Sequence, residues 1–269
     1  MNIPFDRREF QIECERIARL QQGLPADSND FVFKNLLEVT TANIIKLKEC
    51  QAHDSTAFYF NSVYTFLQGL KSLSYKSYSW ATVQLYYSVF YSCKAILGFN
   101  NIGIIRQKGL HKVEIKVGSK AKPLKQDNDH KQTIKCFTDF FPGDFILSNN
   151  NDDQNYFEWI QDAREITNYR QQIFQEPRTL KFLDTVVELI KNNHSLHNLL
   201  DRYASNWSLY CFQDESALIA GSYKLLVDAY NCYVSQPEKI TVPEKNEIKK
   251  LIKELKLDSL TVPFADALI

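Results

Sequence analysis

Arg164, Asn168 and Arg170 are the polar residues of this chain whose spacing suggests chemistry. They lie in YFEWIQDAREITNYRQQIF, within a segment that reads as a helix over 153–174. Its core line is Tyr156, Trp159, Ala163, Ile166 and Ile173. Arg164 and Asn168 are four residues apart and share a face, which Gln171 extends. Arg170 falls on the stripe of Trp159, Ala163 and Ile166, so it points inward. A guanidinium facing a bundle interior needs a carboxylate or a phosphate to offset its desolvation. The plain structural alternative is that Arg164 and Arg170 pair with Asp162, Glu165 or Asp144 and only pin the helices together.

A second polar feature is a run of cations: Arg106, Lys108, Lys112, Lys116, Lys120, Lys122 and Lys125, against the single acid Glu114. Such a stretch can follow a phosphate backbone in RNA or DNA. It holds no aromatic residue, so base stacking is not expected from it. The competing account is a solvated lysine row protecting a strand edge. His111 and His130 flank this stretch and are placed to enter a site only through the fold. His194 and His197, three apart, lack a third ligand at metal spacing. No Gly-rich phosphate loop, GxSxG or HExxH is present, so no self-sufficient catalytic signature exists and no cofactor or metal is expected.

Those residues need a scaffold, and it reads as mainly α-helical. Only 8 Gly and 8 Pro occur in 269 residues, while 18 Phe and 14 Tyr supply a core of large rings. Ser77–Leu97 has neither Gly nor Pro. It carries one apolar stripe through Trp80, Val83, Tyr87 and Phe90, and another through Leu85, Tyr86, Val89, Cys93 and Ile96. Two stripes describe a helix buried on most sides, the central rod of a bundle. A third line, Ala81, Ser88, Ser92 and Ala95, is small enough for a neighbouring helix to approach closely.

Around that rod the periodicity places helices at 6–22, about 30–50 and 55–73, the last capped by Asp54 or Ser55. Further helices follow at 129–141, 179–200, 214–234 and 244–256. Between the rod and the helix at 129, residues 102–107 and 111–117 read as a β-hairpin, with Val113, Ile115 and Val117 alternating against charged residues. Residues 118–129 have the composition of a mobile loop, and TVPFADALI at the end either docks or binds a partner. The expected organisation is N-terminal helices over 1–54, a bundle over 55–200 with the basic hairpin at 101–128, and a helical extension over 201–269.

The net charge is zero, so affinity for nucleic acid must come from a local patch. Six scattered cysteines without CxxC fit a reducing cytoplasm. The charged N-terminus is unlike a signal peptide, and no stretch reaches the ~20 apolar residues of a membrane span.

The rod WATVQLYYSVFYSCKAIL, followed by WIQDAREITNYRQ, resembles the HEPN superfamily of small α-helical bundles over roughly residues 55–200. That resemblance implies an antiparallel helical bundle and a setting in bacterial antiviral defence, toxin–antitoxin or RNA-processing systems. Active members are metal-independent ribonucleases in which an Arg is followed four to six residues later by a His across a dimer interface. The Arg polarises the phosphate, and the His moves a proton of the attacking 2′-hydroxyl. The Arg corresponds to Arg164 and an adjoining polar residue to Asn168. The His positions hold Tyr169, Arg170 and Gln171 instead.

Lacking that His, the chain is expected to be a non-catalytic or atypical member. It would act as a homodimer or as a subunit with a protein partner, joined through the small-residue groove or the Arg164 face. The alternatives are an endoribonuclease using Arg164, Arg170 and a distant His, and a nucleic-acid-binding module using the hairpin.

Overall fold

The structure is a computed structural model, described over residues 8–26, 28, 37–125, 128–144, 146, 150–151, 154–170, 183, 187–188, 191–192, 196–201, 214–237, 239–257 and 263–264. It is mainly α-helical with small antiparallel sheets. In chain order the elements are α1 (Glu9–Gln21), α2 (Ile44–Ser74), α3 (Tyr78–Phe99), β1 (Ile102–Arg106), β2 (Leu110–Glu114), β3 (Lys122–Pro123) and α4 (Asp129–Phe140). Then come β4 (Asn150–Asn151), β5 (Gln154–Asn155), α5 (Tyr156–Glu165) with a π-helical turn over Ile166–Arg170, α6 (Asp214–Tyr233) and α7 (Val242–Glu254).

α3 is the central rod. Leu85, Tyr86, Val89, Cys93 and Ile96 are all buried, and so are Ala81, Ser88, Ser92 and Ala95. The small line receives α2 along its length. Ser62 Oγ lies 2.5 Å from Ser92 Oγ and donates to the Ser88 carbonyl at 3.0 Å. α6 approaches with Ser222, whose Oγ lies 3.2 Å from the Leu85 carbonyl. This groove is therefore filled by the chain's own helices and offers no seat to a second copy. Trp80 departs from its expected stripe and is 55% exposed. It sits in the first turn of α3, at the end of the bundle where Tyr75 is exposed as well.

One long helix replaces the two expected at about 30–50 and 55–73. α2 runs 31 residues without a break, and residues 29–36 lie outside the described set. Asp54 and Ser55 stand in its middle instead of capping a helix there. Asp54 caps a different helix from a distance: its carboxylate accepts from the Glu9 and Phe10 N–H groups at 3.0 and 3.2 Å, the otherwise orphaned donors of α1. The polar signal was a cap for α1, 44 residues upstream. α2 also continues unbroken through residues 54–55, the division expected between the N-terminal layer and the bundle.

The hairpin forms as expected from β1 and β2, with Ile104 opposite Lys112 and Arg106 opposite Leu110. Val113 and Ile115 are buried while Val117 is exposed. The stretch expected to be a mobile loop carries β3, which extends the sheet by pairing His111 with Pro123 and Lys112 with Lys122. It also pairs with residues 37–39: Gly118 N–H donates to the Val39 carbonyl at 2.8 Å, and Ala121 N–H to the Leu37 carbonyl at 3.0 Å. A smaller apolar core of Phe10, Cys14, Ile17, Val39, Leu47, Val113 and Ile115 closes over this junction.

α6 lies on α3 and α2, with Leu218, Ile219, Leu225, Leu226, Ala229 and Tyr233 all buried. α7 starts with a capping box between Thr241 and Glu244, and Lys71 on α2 meets Glu254 on α7 at 2.6 Å. Part of the C-terminal apolar tail docks: Phe264 is buried and the Pro263 carbonyl accepts from Tyr59 OH at 2.5 Å. The expected helix over 179–200 falls mostly outside the described residues, where only Leu183, Val187, Leu196 and Leu200 are seen buried. Among the described residues, no helix is long and apolar enough to cross a membrane.

Candidate functional site

The site is built on one face of α3. Tyr86, Phe90 and Lys94 follow one another at four-residue intervals, with Tyr87 and Tyr91 beside them. α4 then brings its first turn against that face. Asn128 caps it, its side chain accepting from the Lys131 N–H at 3.1 Å, which fixes Asp129 and His130 at the start of the helix.

Lys94 is 8% exposed and is held by Asp129, Nζ to Oδ2 at 2.6 Å. Burial lowers the Lys94 pKa, partly countered by Asp129. Burial pushes the Asp129 carboxyl up, but Lys94 outweighs it and the net value falls below the usual range. The ammonium also lies over two rings, 4.6 Å from the Phe90 centroid and 5.3 Å from that of Phe58.

His130 stacks on Phe90 with centroids 4.1 Å apart, and on Tyr86 at 5.6 Å. Its Nδ1 shares a 3.0 Å hydrogen bond with Tyr86 OH, the direction of which depends on the imidazole tautomer. Burial lowers the His130 pKa and the nearby Arg164 lowers it further, so the ring is neutral at pH 7. Burial raises the Tyr86 phenol well above its ordinary value, so its proton stays on.

Arg164 arrives from the last turn of α5, its guanidinium carbon 5.2 Å from the Tyr86 ring centroid. α5 is placed by Asn155, whose side chain accepts from the Phe157 and Glu158 N–H groups at 3.1 Å each. Phe157 and Ile160 are buried beside Tyr156 and Trp159. After Glu165 the helix widens into the π-helical turn. The wider turn moves later residues off the 3.6 grid. Ile166, expected on the core line, is therefore exposed, and Thr167 is buried in its stead with Oγ1 on the Ala163 carbonyl at 2.8 Å.

Arg164 and His130 thus both meet Tyr86, in one packed set that runs on through Phe90, Lys94 and Phe58 to Arg8, whose guanidinium carbon is 5.9 Å from the Phe58 centroid. Asn168 is half-buried one turn beyond Arg164. The side chains of Arg170 and Gln171, like Ile173, lie outside the described residues, and so does His194.

Of the expected basic set, Arg106, Lys108, Lys116, Lys120, Lys122 and Lys125 are exposed. Lys112 is half-buried and bonded to Glu114 at 2.8 Å, and Lys120 lies 3.8 Å from Glu38. Lys112 holds the Glu114 carboxyl low, with Lys122 and Lys116 adding to the effect. β1 packs against α3, with Ile102, Ile104 and Ile105 around the same recess as Lys94, so the hairpin borders the α3 face. Among the described residues, no group of three or more His, Cys, Asp or Glu gathers as metal ligands.

Sequence reasoning placed Tyr86 and Phe90 in core stripes and passed over Lys94. The signal for Lys94 was present: it is the single charged residue of the apolar run from Ser77 to Leu97. No family model matches the chain, and no curated protein or solved structure matches it.

Proposed function

We propose that the chain is an atypical HEPN-like protein that cleaves RNA without a metal, using Arg164 and His130. The observation that carries this reading is the meeting of these two residues, from different helices, on Tyr86. The His missing from positions 169–171 is replaced by one delivered from the first turn of α4. In the reaction, neutral His130 takes the proton of a ribose 2′-hydroxyl and the 2′-oxygen attacks the adjacent phosphorus. The bond to the 5′-oxygen breaks, that oxygen gains a proton from solvent, and a 2′,3′-cyclic phosphate remains. Arg164 neutralises the charge building on the phosphoryl oxygens. Tyr86 OH fixes the imidazole orientation through Nδ1 and leaves Nε2 for the substrate.

A second reading keeps the cluster as a brace. The close stacking of His130 on Phe90 at 4.1 Å favours it, because a tightly stacked imidazole also serves packing. The chain would then be a non-catalytic, dimerising or accessory subunit of a defence or toxin–antitoxin assembly.

Incubating labelled RNA with the protein in EDTA separates the two. Cleavage leaving cyclic phosphate ends, reduced at least about 100-fold by Arg164→Ala and by His130→Ala, is the expected result. Intact RNA with the wild-type protein removes the enzymatic reading and leaves the accessory one.

A further inference from the structure

We infer that Tyr87, Tyr91 and Phe58 form a stacking platform for the bases of a single-stranded nucleic acid, with cations at both ends to hold its phosphates. The three rings are half-buried and follow one another along the α2–α3 surface. Tyr87 and Tyr91 have centroids 6.0 Å apart, and Tyr91 and Phe58 are stacked at 6.4 Å and 15°. At one end Tyr87 meets His130 edge-on at 5.4 Å, beside Arg164. At the other, Lys94 and Arg8 stand over Phe58.

Rings interleaved with cations are what binding a strand by its bases and backbone requires, and the ring faces accept any base. The basic hairpin alone lacked aromatics; the fold supplies them from the neighbouring helices. A protein occupant fits less well. The centres of protein interfaces are depleted in charge, whereas this surface carries Arg8, Lys94 and Arg164, with Asp129 engaged by Lys94, Asp54 engaged in capping α1, and Glu165.

This proposal deepens the preceding one in that it leads the strand toward His130 and Arg164, but it is tested by binding alone. The probe is a fluorescent, mixed-sequence RNA oligonucleotide, 2′-O-methylated throughout so that it cannot be cleaved. Its anisotropy is titrated with protein, single-stranded and as a duplex, at several salt concentrations.

The wild type is expected to prefer the single strand. Tyr91→Ala should weaken binding about tenfold. Arg8→Ala, which removes a guanidinium lying over Phe58 and 3.5 Å from the Ile104 carbonyl, should weaken it less and flatten the salt dependence. Unchanged affinity in both variants overturns the proposal, as does absent wild-type binding at low salt. Sedimentation showing self-association that Tyr91→Ala abolishes, without an effect on RNA, overturns it in favour of a dimer face. Binding of the expected pattern without cleavage of ordinary RNA sustains the platform and removes only the catalytic reading.

Discussion

Lys94 Nζ and Asp129 Oδ2 stand 2.6 Å apart, joining the C-terminal part of the central helix to the first turn of the helix that carries His130. Taking an ammonium into the interior is unfavourable unless it is paired, and removing one partner leaves the other desolvated and unpaired. The Asp129 side chain keeps 28% of its exposure, so water recovers part of that loss. Lys94→Met should therefore destabilise the fold by about 2 kcal/mol, below the range for fully buried pairs. Lys94→Met combined with Asp129→Asn should cost clearly less than the sum of the two single changes. Urea unfolding of the four proteins checks this, and strict additivity would mean that the pair does not couple the helices.

Asp54 holds the N-terminus of α1 from the middle of α2. Truncating it to Ala removes the acceptor for two N–H groups and should cost about 1–2 kcal/mol. Amide exchange should accelerate first over residues 9–14. Burial raises the Asp54 pKa, although the Phe10 and Glu9 N–H groups oppose this. A carboxyl whose folded value is raised adds stability below its unfolded value of about 3.9, and this is lost as pH rises through the folded value. The stability of wild type relative to Asp54→Asn should accordingly improve as pH falls from 6 towards 3. A difference that is flat or moves the other way contradicts the assignment.

Helical class, the central rod, the hairpin and α6 were legible because each rests on a periodicity that packing preserved. The errors fall where a residue answers to something distant. Asp54 and Ser55 looked like a local cap because Asp and Ser usually cap the helix they precede, and nothing in sequence shows a cap reaching 44 residues back. Trp80 had the right spacing for a buried stripe, but burial also needs a neighbour at that end of the bundle. Ile166 lost its place to a π-helical turn, which no period of 3.6 foretells. The site was half legible: Arg164 stood out by spacing, while His130 was visible only as a loose histidine, because its proximity to Arg164 is created by α4 docking on α3.

At Gly221, α6 packs against the Tyr156 ring of α5. A Cβ there would lie 2.1 Å from Cζ of Tyr156, a fully buried ring that has no room to retreat. Gly221→Ala should destabilise by about 1–3 kcal/mol through overpacking, despite the better helix propensity of Ala. Gly143→Ala is the control, since nothing lies within 4 Å of its added carbon. Thermal melts should show a loss of several degrees for Gly221→Ala and almost none for Gly143→Ala. Equal melting temperatures would show that α6 and α5 are not packed so closely.

His130 makes the packing around the site sensitive to acid. Arg164 and Lys94 both oppose its protonation, Asp129 favours it, and burial disfavours it most of all. Its folded pKa therefore lies below the ordinary value of about 6.5. A histidine with a lowered value contributes stability that is complete above the unfolded pKa and is lost as pH falls through the folded one. His130→Phe keeps a ring against Phe90 and Tyr86 but cannot take a proton. The stability of wild type relative to His130→Phe should then shrink as the pH is lowered from 7.5 to 5. The same lowered value places the acid limb of any RNA cleavage below pH 6.5, because the base must be neutral to accept the proton. A stability difference independent of pH would show that His130 is not held between these cations, and would remove the electrostatic basis for its use as the base.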